Sequence, residues 1–410
     1  MFDFDMLGLA PTLNAALARA GFDKPTPIQG QAIPHALDGH DVLGLAQTGT
    51  GKTLAFGLPI LQHLLDAPGR PAPKSVKALI LAPTRELANQ IAESLRGLAE
   101  GSPIRVAVVV GGQSIGRQIG VLSRGVDILV ATPGRLIDLM DRGAVDLSAT
   151  RRLVLDEADQ MLDLGFIHAL RRIAPKLGTP RQTMLFSATM PKQMEELSRA
   201  YLTNPRRVQV APPGKTADKI AQGVRFLDRA EKPAALRDLL SEDRSALTLV
   251  FARTKHGAEK LMKGLVADGF NAASIHGNKS QGQRDRAIRA FRDGSIPVLV
   301  ATDVAARGID IPDVRLVVNY DLPETPDNYV HRIGRTARAG KDGAAIALCA
   351  PDEADMLRRI EALVGVRIET KGGTRPAAAE ARSQGQPRRG KGPNPAAGAG
   401  RSRRPRRRAA

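Results

Sequence analysis

Six short apolar runs, VLGLA, ALILAP, VAVVVGG, DILVATP, RLVLDEAD and TMLFSAT, punctuate the first half of the chain, with helix-compatible stretches between them. Continuous apolarity over so few residues suits a strand buried on both faces, the usual state of a parallel sheet covered by helices. A second series, VRFLD, LTLVFA, AASIHG, PVLVATD, LVVNYD and AAIALCA, begins at about residue 218, separated by stretches such as HGAEKLMKGLVADG and SQGQRDRAIRAFRDG. The pattern predicts two α/β domains with mainly parallel sheets, over 1–205 and 218–370. Residues 206–217 form the expected linker, because VAPPGKTADK is polar and carries Pro and Gly.

Parallel sheets place ligands at the carboxyl ends of their strands, and polar signals fall there repeatedly: AQTGTGKT, APTREL, ATPGR, DEAD, SAT, ARTK, HGNKS and ATDVAARGID. The most telling is AQTGTGKT at 46–53, between an apolar run and the helix-compatible LAFGLPILQHLL. Gly49 and Gly51 allow the backbone of Gln47, Thr48, Gly49, Thr50 and Gly51 to curl its N–H groups inward at a helix N-terminus, where anions are favoured. Lys52 then reaches nucleotide phosphates, and Thr53 offers a hydroxyl to Mg²⁺. The strict GxxxxGK[ST] pattern is missed by one methyl group, since Ala46 stands in the first glycine position. One phosphate loop for two domains implies that the second domain completes the site.

Asp156, Glu157 and Asp159 close the run RLVLDEAD. A carboxylate at a strand end beside a phosphate loop suits Mg²⁺, which assigns the metal to Asp156, and Glu157 becomes the group that polarises the attacking water. The same acidic residues would also suit a helix start, and it is the phosphate loop that tips the reading towards catalysis. In TPDNYVHRIGRTARAG, Thr325 and Pro326 predict a helix start, and Arg332, Arg335 and Arg338 follow at every third residue. On a helix they would share a face, either as arginine fingers for a γ phosphate or as a solvated basic surface. Spacing alone leaves the two about even.

The chain has 410 residues with 42% hydrophobic content and no apolar run of membrane-spanning length. Its single cysteine, Cys349, lies inside an apolar strand and reads as a core residue, with no internal disulfide available. The opening MFDFDMLGLAP has no basic stretch followed by an apolar one, so a cytoplasmic protein is expected. The formal charge of +18 is concentrated at one end, since residues 371–410 hold ten Arg and two Lys against one Glu, a net +11. That tail has no Val, Ile, Leu, Met, Phe, Trp or Tyr and is expected to be disordered. Clusters such as RSRRPRRR favour weak, sequence-blind attraction to nucleic acid over a solvated charge run without a partner.

Taken in order, these motifs resemble those of the DEAD-box ATP-dependent RNA helicases, and look most like the bacterial RhlE branch, over residues 2 to about 365. The resemblance implies two tandem RecA-like domains, ATP and Mg²⁺ as cofactors, and single-stranded or duplex RNA as partner. Phe4, seventeen residues before Gly21 of GFDKPTPIQ, would stack on adenine, and Gln29 would read its edge. Gly308 and Asp310 of ARGID would meet the nucleotide, the latter at the ribose, and Arg335 and Arg338 become the fingers. Ser187 and Thr189 of SAT would couple to Asp159 of DEAD, together with His331. RNA contacts carry over to Thr84, Arg85, Gly112, Thr132, Arg135, Arg253, Gln281, Arg284 and Thr302. The family's motif VI reads HRIGRTGR, whereas Ala337 replaces its second glycine here, a steric cost if that position needs positive φ. The implied activity is RNA-stimulated ATP hydrolysis coupled to local duplex unwinding. An ATP-timed RNA clamp or annealing chaperone driven by the tail is the alternative, and ribosome precursors or RNA-decay machinery are compatible partners.

Overall fold

The structure is a computed structural model that describes residues 3–46, 49–210, 220–306, 311, 313–337 and 343–375. The predicted tail from 376 onward, and with it most of the linker, lies outside the described residues. The first sheet contains β1 (Val42–Leu45), β2 (Val76–Leu81), β3 (Val106–Val109), β4 (Val126–Ala131), β5 (Arg152–Leu155), β6 (Gln182–Ser187) and β7 (Arg206–Gln209). Their order is β3-β4-β2-β5-β6-β1-β7. The second contains β8 (Ile220–Phe226), β9 (Thr248–Phe251), β10 (Ala272–Ile275), β11 (Val298–Ala301), β12 (Leu316–Asn319), β13 (Gly343–Cys349) and β14 (Glu369–Gly372), ordered β10-β11-β9-β12-β13-β8-β14. Adding seven to each strand number of the first order yields the second, so the two halves repeat one topology. Every described strand pairing is parallel.

Alternation along each inner strand explains why the apolar runs are continuous. Ala78 and Ile80 of β2 enter one core and Leu79 and Leu81 the other, so helices cover both faces of the first sheet. The second sheet is sandwiched in the same way, with Leu249 and Phe251 of β9 on one side and Val250 on the other. Cys349 is buried in the second domain, as expected of a core residue, and burial pushes its thiol up to about 12.

Two predicted boundaries move. Residues 206–209, assigned to the linker, pair as β7 with β1, and 369–372, which straddle the expected start of the tail, pair as β14 with β8. The folded part then runs on to Arg375, whose guanidinium forms two 3.0 Å hydrogen bonds with Glu361 and donates to the Ile368 carbonyl at 2.9 Å. Both extra strands lie at or beside a sheet edge and are largely exposed, as RRVQ and ETKG, so neither carries the apolar signal of a buried strand.

Candidate nucleotide site and interdomain cleft

The turn after β1 leads into the helix Lys52–Asp66, and Gly49 and Gly51 take φ of 85° and 92°, left-handed values that suit glycine. A second reason for Gly51 is space: a Cβ there would lie 2.4 Å from Gln29 Nε2. The segment Thr26–Gln29 buckles onto the turn from outside. Thr26 Oγ1 donates to the Thr50 carbonyl at 2.8 Å, Gln29 Nε2 donates to the Gly51 carbonyl at 3.0 Å, and Gln29 Oε1 accepts from Thr26 N at 2.8 Å. Gln29 therefore keeps one amide proton and one lone pair for a base edge. Lys52 is 6% exposed and donates to the Ala46 carbonyl at 3.1 Å. Thr53, the second residue of this helix, is half-buried. Gln47, Thr48, Gly308, Asp310 and Arg338 lie outside the described residues.

Sequence reasoning assigns Phe4 to base stacking, but the structure packs it into the core of the first domain, 4% exposed, so it presents no free ring face. Among the described residues, the exposed phenylalanine is Phe22, at 41%, inside GFDKPTPIQ itself. Its place in that segment was the signal available.

Asp156 and Glu157 follow β5, each 2% exposed. Glu157 holds φ at 50°, left-handed for a residue with a Cβ, and starts the helix Ala158–Asp163. Strain of this kind tends to accumulate at functional sites. Asp156 Oδ1 accepts from Glu157 N at 3.0 Å and lies 3.9 Å from Lys52 Nζ. Burial pushes the Asp156 carboxyl up to about 6, Lys52 opposes the rise, and Glu157 and Asp159 add to it.

Asp159 gathers the coupling residues. Its Oδ2 accepts from Ala188 N at 3.1 Å, Thr189 N at 2.9 Å and Thr189 Oγ1 at 3.0 Å, and His331 Nε2 of the second domain stands 4.0 Å from the same oxygen. Ser187 departs from expectation: its hydroxyl donates to the Thr189 carbonyl at 2.6 Å and not to the DEAD segment. It shapes the turn that Thr189 uses.

The three arginines do not share a helical face, because the helix Pro326–Ile333 ends before Arg335. Arg332, in the last turn, is 1% exposed. Its Nε and Nη2 both bond the Asp303 carboxylate, the latter at 2.7 Å. Its Nη1 donates to Asn319 Oδ1 at 3.0 Å and to the Asp321 carbonyl at 2.7 Å, and its guanidinium stands 4.9 Å from the Phe251 ring centroid. Arg332 is thus a buried brace and not a finger. Arg335, beyond the helix end and 4% exposed, donates through Nε to the His331 carbonyl at 3.3 Å and lines a pocket with His331 and Asn328.

Ala337 has φ of 55°, so the position the sequence marks as a glycine substitute does adopt the left-handed region. An L residue there costs roughly 1–2 kcal/mol, part of which a glycine returns through its greater freedom when unfolded. Ala337→Gly should therefore stabilise the chain by about 0.5–1 kcal/mol, measured as a raised urea midpoint. An unchanged or lowered midpoint would contradict this reading of the backbone.

Thr84 caps the helix Arg85–Leu98, its Oγ1 accepting from Leu87 N at 3.3 Å. Arg85 lies over Gly112, where a Cβ would meet its Nη1 at 2.0 Å, so the glycine makes room for the guanidinium. Across the cleft, Arg85 Nη1 donates to Gln281 Oε1 at 3.0 Å, and Arg284 forms a 2.9 Å ion pair with Glu86. Arg135 donates to the Gln113 carbonyl at 3.1 Å and to Gln118 Oε1 at 3.0 Å. Burial lowers the pKa of Arg85, and the Arg284 and Arg135 charges push the same way, as expected of a shared basic cluster. Thr132 precedes the helix Pro133–Asp141 and Thr302 the short helix Asp303–Ala306, each at the carboxyl end of a strand. Arg253 stands apart from the cluster, its Nη2 held by Glu353 Oε1 at 2.7 Å and by the Leu322 carbonyl at 3.3 Å.

Comparison with known proteins agrees with this geometry. Residues 26–197 match the family model described as DEAD/DEAH box helicase, and 231–340 match the helicase conserved C-terminal domain. An ATP-dependent RNA helicase CshA of Limosilactobacillus reuteri is 44% identical over 384 residues, covering 93% of this chain and 76% of the relative. That name differs from the RhlE-like branch expected from the motifs. Among solved structures, S. cerevisiae Dbp5 bound to RNA and ADP BeF3 matches with TM-score 0.81 at 32% identity, over 91% of this chain and 96% of that one. A variant of the same yeast protein bound to Nup159, Gle1, IP6 and ADP matches with TM-score 0.62 at 31% identity, over 89% and 96%.

Proposed function

This chain belongs to the DEAD-box ATP-dependent RNA helicases, and we propose from that premise that it couples ATP binding and hydrolysis to local unwinding or remodelling of short RNA duplexes. The observation that carries the coupling is the junction at Asp159, where the DEAD segment, the SAT turn and His331 of the second domain converge on one carboxylate oxygen. A change at the phosphate site is felt there by both domains at once.

Lys52 supplies the phosphate-binding ammonium and Glu157 polarises the attacking water. The buried Asp156 carboxylate, with the Lys52 ammonium 3.9 Å from its Oδ1, suits a hard divalent ion. Asp156 and Thr53 would hold Mg²⁺, which neutralises phosphate charge when bound. Arg335, with Arg338, supplies positive charge to the γ phosphate from the second domain. The Phe22 ring is the surface we assign to the adenine, with Gln29 reading its edge. Single-stranded RNA lies along Thr84, Arg85, Gly112, Thr132, Arg135, Arg253, Gln281, Arg284 and Thr302, small polar and basic groups suited to a sugar–phosphate backbone. Closure of the two domains bends one strand, and a bent strand cannot remain in a regular duplex. No described helix is long and apolar enough to cross a membrane.

Steady-state ATP hydrolysis with and without single-stranded RNA, with DNA of the same sequence as control, tests the proposal. RNA should stimulate the rate strongly and DNA should not, since contact with the 2′-hydroxyl distinguishes them. Equal rates with and without RNA would break the coupling and return the ATP-timed clamp as the better reading.

A further inference from the structure

Because the second sheet repeats the topology of the first, the nucleotide site has a counterpart there. Lys52 opens the helix after β1, and Lys232 opens the helix Lys232–Glu242 after β8. Asp156 comes directly after β5, and Asp321 comes two residues after the counterpart strand β12. No glycine turn precedes Lys232, and its ammonium, in a residue 2% exposed, is already satisfied. It donates to the Tyr320 carbonyl at 2.7 Å and to Glu353 Oε2 at 2.6 Å, with Asp321 Oδ1 at 3.7 Å. Glu353, itself 4% exposed, thus gives Lys232 the anionic partner that a phosphate would give Lys52.

The remaining valences of Glu353 are aimed at one residue and its surroundings. Oε2 also accepts from Ala350 N at 3.1 Å, while Oε1 accepts from Leu322 N at 3.0 Å and from Arg253 Nη2 at 2.7 Å. The Arg253 backbone N–H donates to Asp321 Oδ2 at 2.9 Å, so this arginine is gripped at main chain and at one guanidinium nitrogen. Among the described residues its Nε and Nη1 have no hydrogen-bond partner, and its side chain is 35% exposed at the carboxyl end of β9. A planar guanidinium fixed through one nitrogen keeps its remaining donors in a set orientation, ready for a phosphate.

We propose that Glu353 is a positioning residue for RNA binding: the filled counterpart of the phosphate site has become a mount that orients Arg253 towards a backbone phosphodiester. The proposal rests on the helicase reading and on Arg253 as an RNA contact. Glu353 accepts from Arg253, Leu322 N, Ala350 N and Lys232 together, and its hold on the Arg253 guanidinium prevents that side chain from sampling other rotamers.

The test uses the full chain and a fluorescein-labelled decauridylate, with affinity read by anisotropy in the presence of a non-hydrolysable ATP analogue. Arg253→Ala and Glu353→Gln should each weaken binding about tenfold, the usual scale for a charge-assisted hydrogen bond. The double variant should bind no more weakly than Arg253→Ala. In RNA-stimulated hydrolysis, the RNA concentration for half-maximal rate should rise by the same factor, with kcat at saturating RNA and KM for ATP unchanged. Lys232→Met disturbs the same buried network but leaves the Arg253–Glu353 pair, so it should retain RNA affinity within twofold. Arg253→Lys approaches the geometry from the exposed side and should lose most of the affinity, because one ammonium cannot serve the carboxylate and a phosphate together. Full affinity in Glu353→Gln or Arg253→Lys, multiplicative losses in the double variant, or equal losses in Lys232→Met would each overturn the proposal. An unaffected Arg253→Ala would instead remove Arg253 from the RNA contacts, and the mount with it, while RNA-stimulated hydrolysis by the wild type would leave the helicase reading standing.

Discussion

Glu157→Gln should lower kcat for ATP hydrolysis by about 10²–10⁴-fold, the range expected when a general base is removed, with little effect on ATP or RNA binding. The substitution preserves shape, so the backbone at φ 50° and the start of the helix Ala158–Asp163 are kept. It also removes a negative charge beside Asp156. Since Glu157 helps to raise the Asp156 pKa, the variant should leave Asp156 more fully ionised and no weaker as a cation ligand. The loss should therefore fall on kcat alone. A further consequence separates catalysis from binding: with hydrolysis blocked, RNA captured with ATP should dissociate far more slowly than from the wild type. Single-turnover hydrolysis and RNA off-rates on the same sample measure both. A kcat within tenfold of wild type would remove Glu157 from the role of base.

The parts that were legible before the structure share a physical cause. Inner strands announce themselves because both faces are buried, as Leu79 and Ile80 show from opposite cores. The phosphate turn is legible because Gly49 and Gly51 occupy backbone conformations that other residues avoid. The coupling of Thr189 to Asp159 followed from motif order, whereas the inward turn of the Ser187 hydroxyl did not, because a hydroxyl's partner depends on a local rotamer. Edge strands β7 and β14 escaped notice for want of a buried face. Phe4 and Phe22 are chemically identical, and only packing decides which ring is exposed. Lys232 and Glu353 are far apart in sequence and come together through the repeated topology, a relation invisible to any local pattern.

Arg332→Met should destabilise the second domain by about 3 kcal/mol, the lower end of the cost of breaking a buried ion pair, and should lower hydrolysis as well. Methionine fills much of the space but cannot replace the bonds to Asp303, Asn319 and the Asp321 carbonyl. Asn319 is fully buried and would lose its partner for Oδ1, while Asp303, whose side chain is 23% exposed, can recover some hydration and moderates the loss. Lysine would be a poor substitute, because a point charge cannot span the carboxylate and the carbonyl that the fork of Arg332 joins. The catalytic effect follows from position. Arg332 ties the last turn of the helix Pro326–Ile333 to the residues after β11 and β12, and that turn also carries His331, with Arg335 just beyond it. Loosening this attachment moves the groups that meet the first domain, so the loss of activity should exceed the loss of folded protein at a temperature where the variant remains native. Urea unfolding of the full chain, with RNA-stimulated hydrolysis on the same preparation, separates the two. A variant as stable as wild type would mean that Asp303 and Asn319 find other partners, and full activity in a destabilised variant would mean that His331 and Arg335 are positioned without the brace.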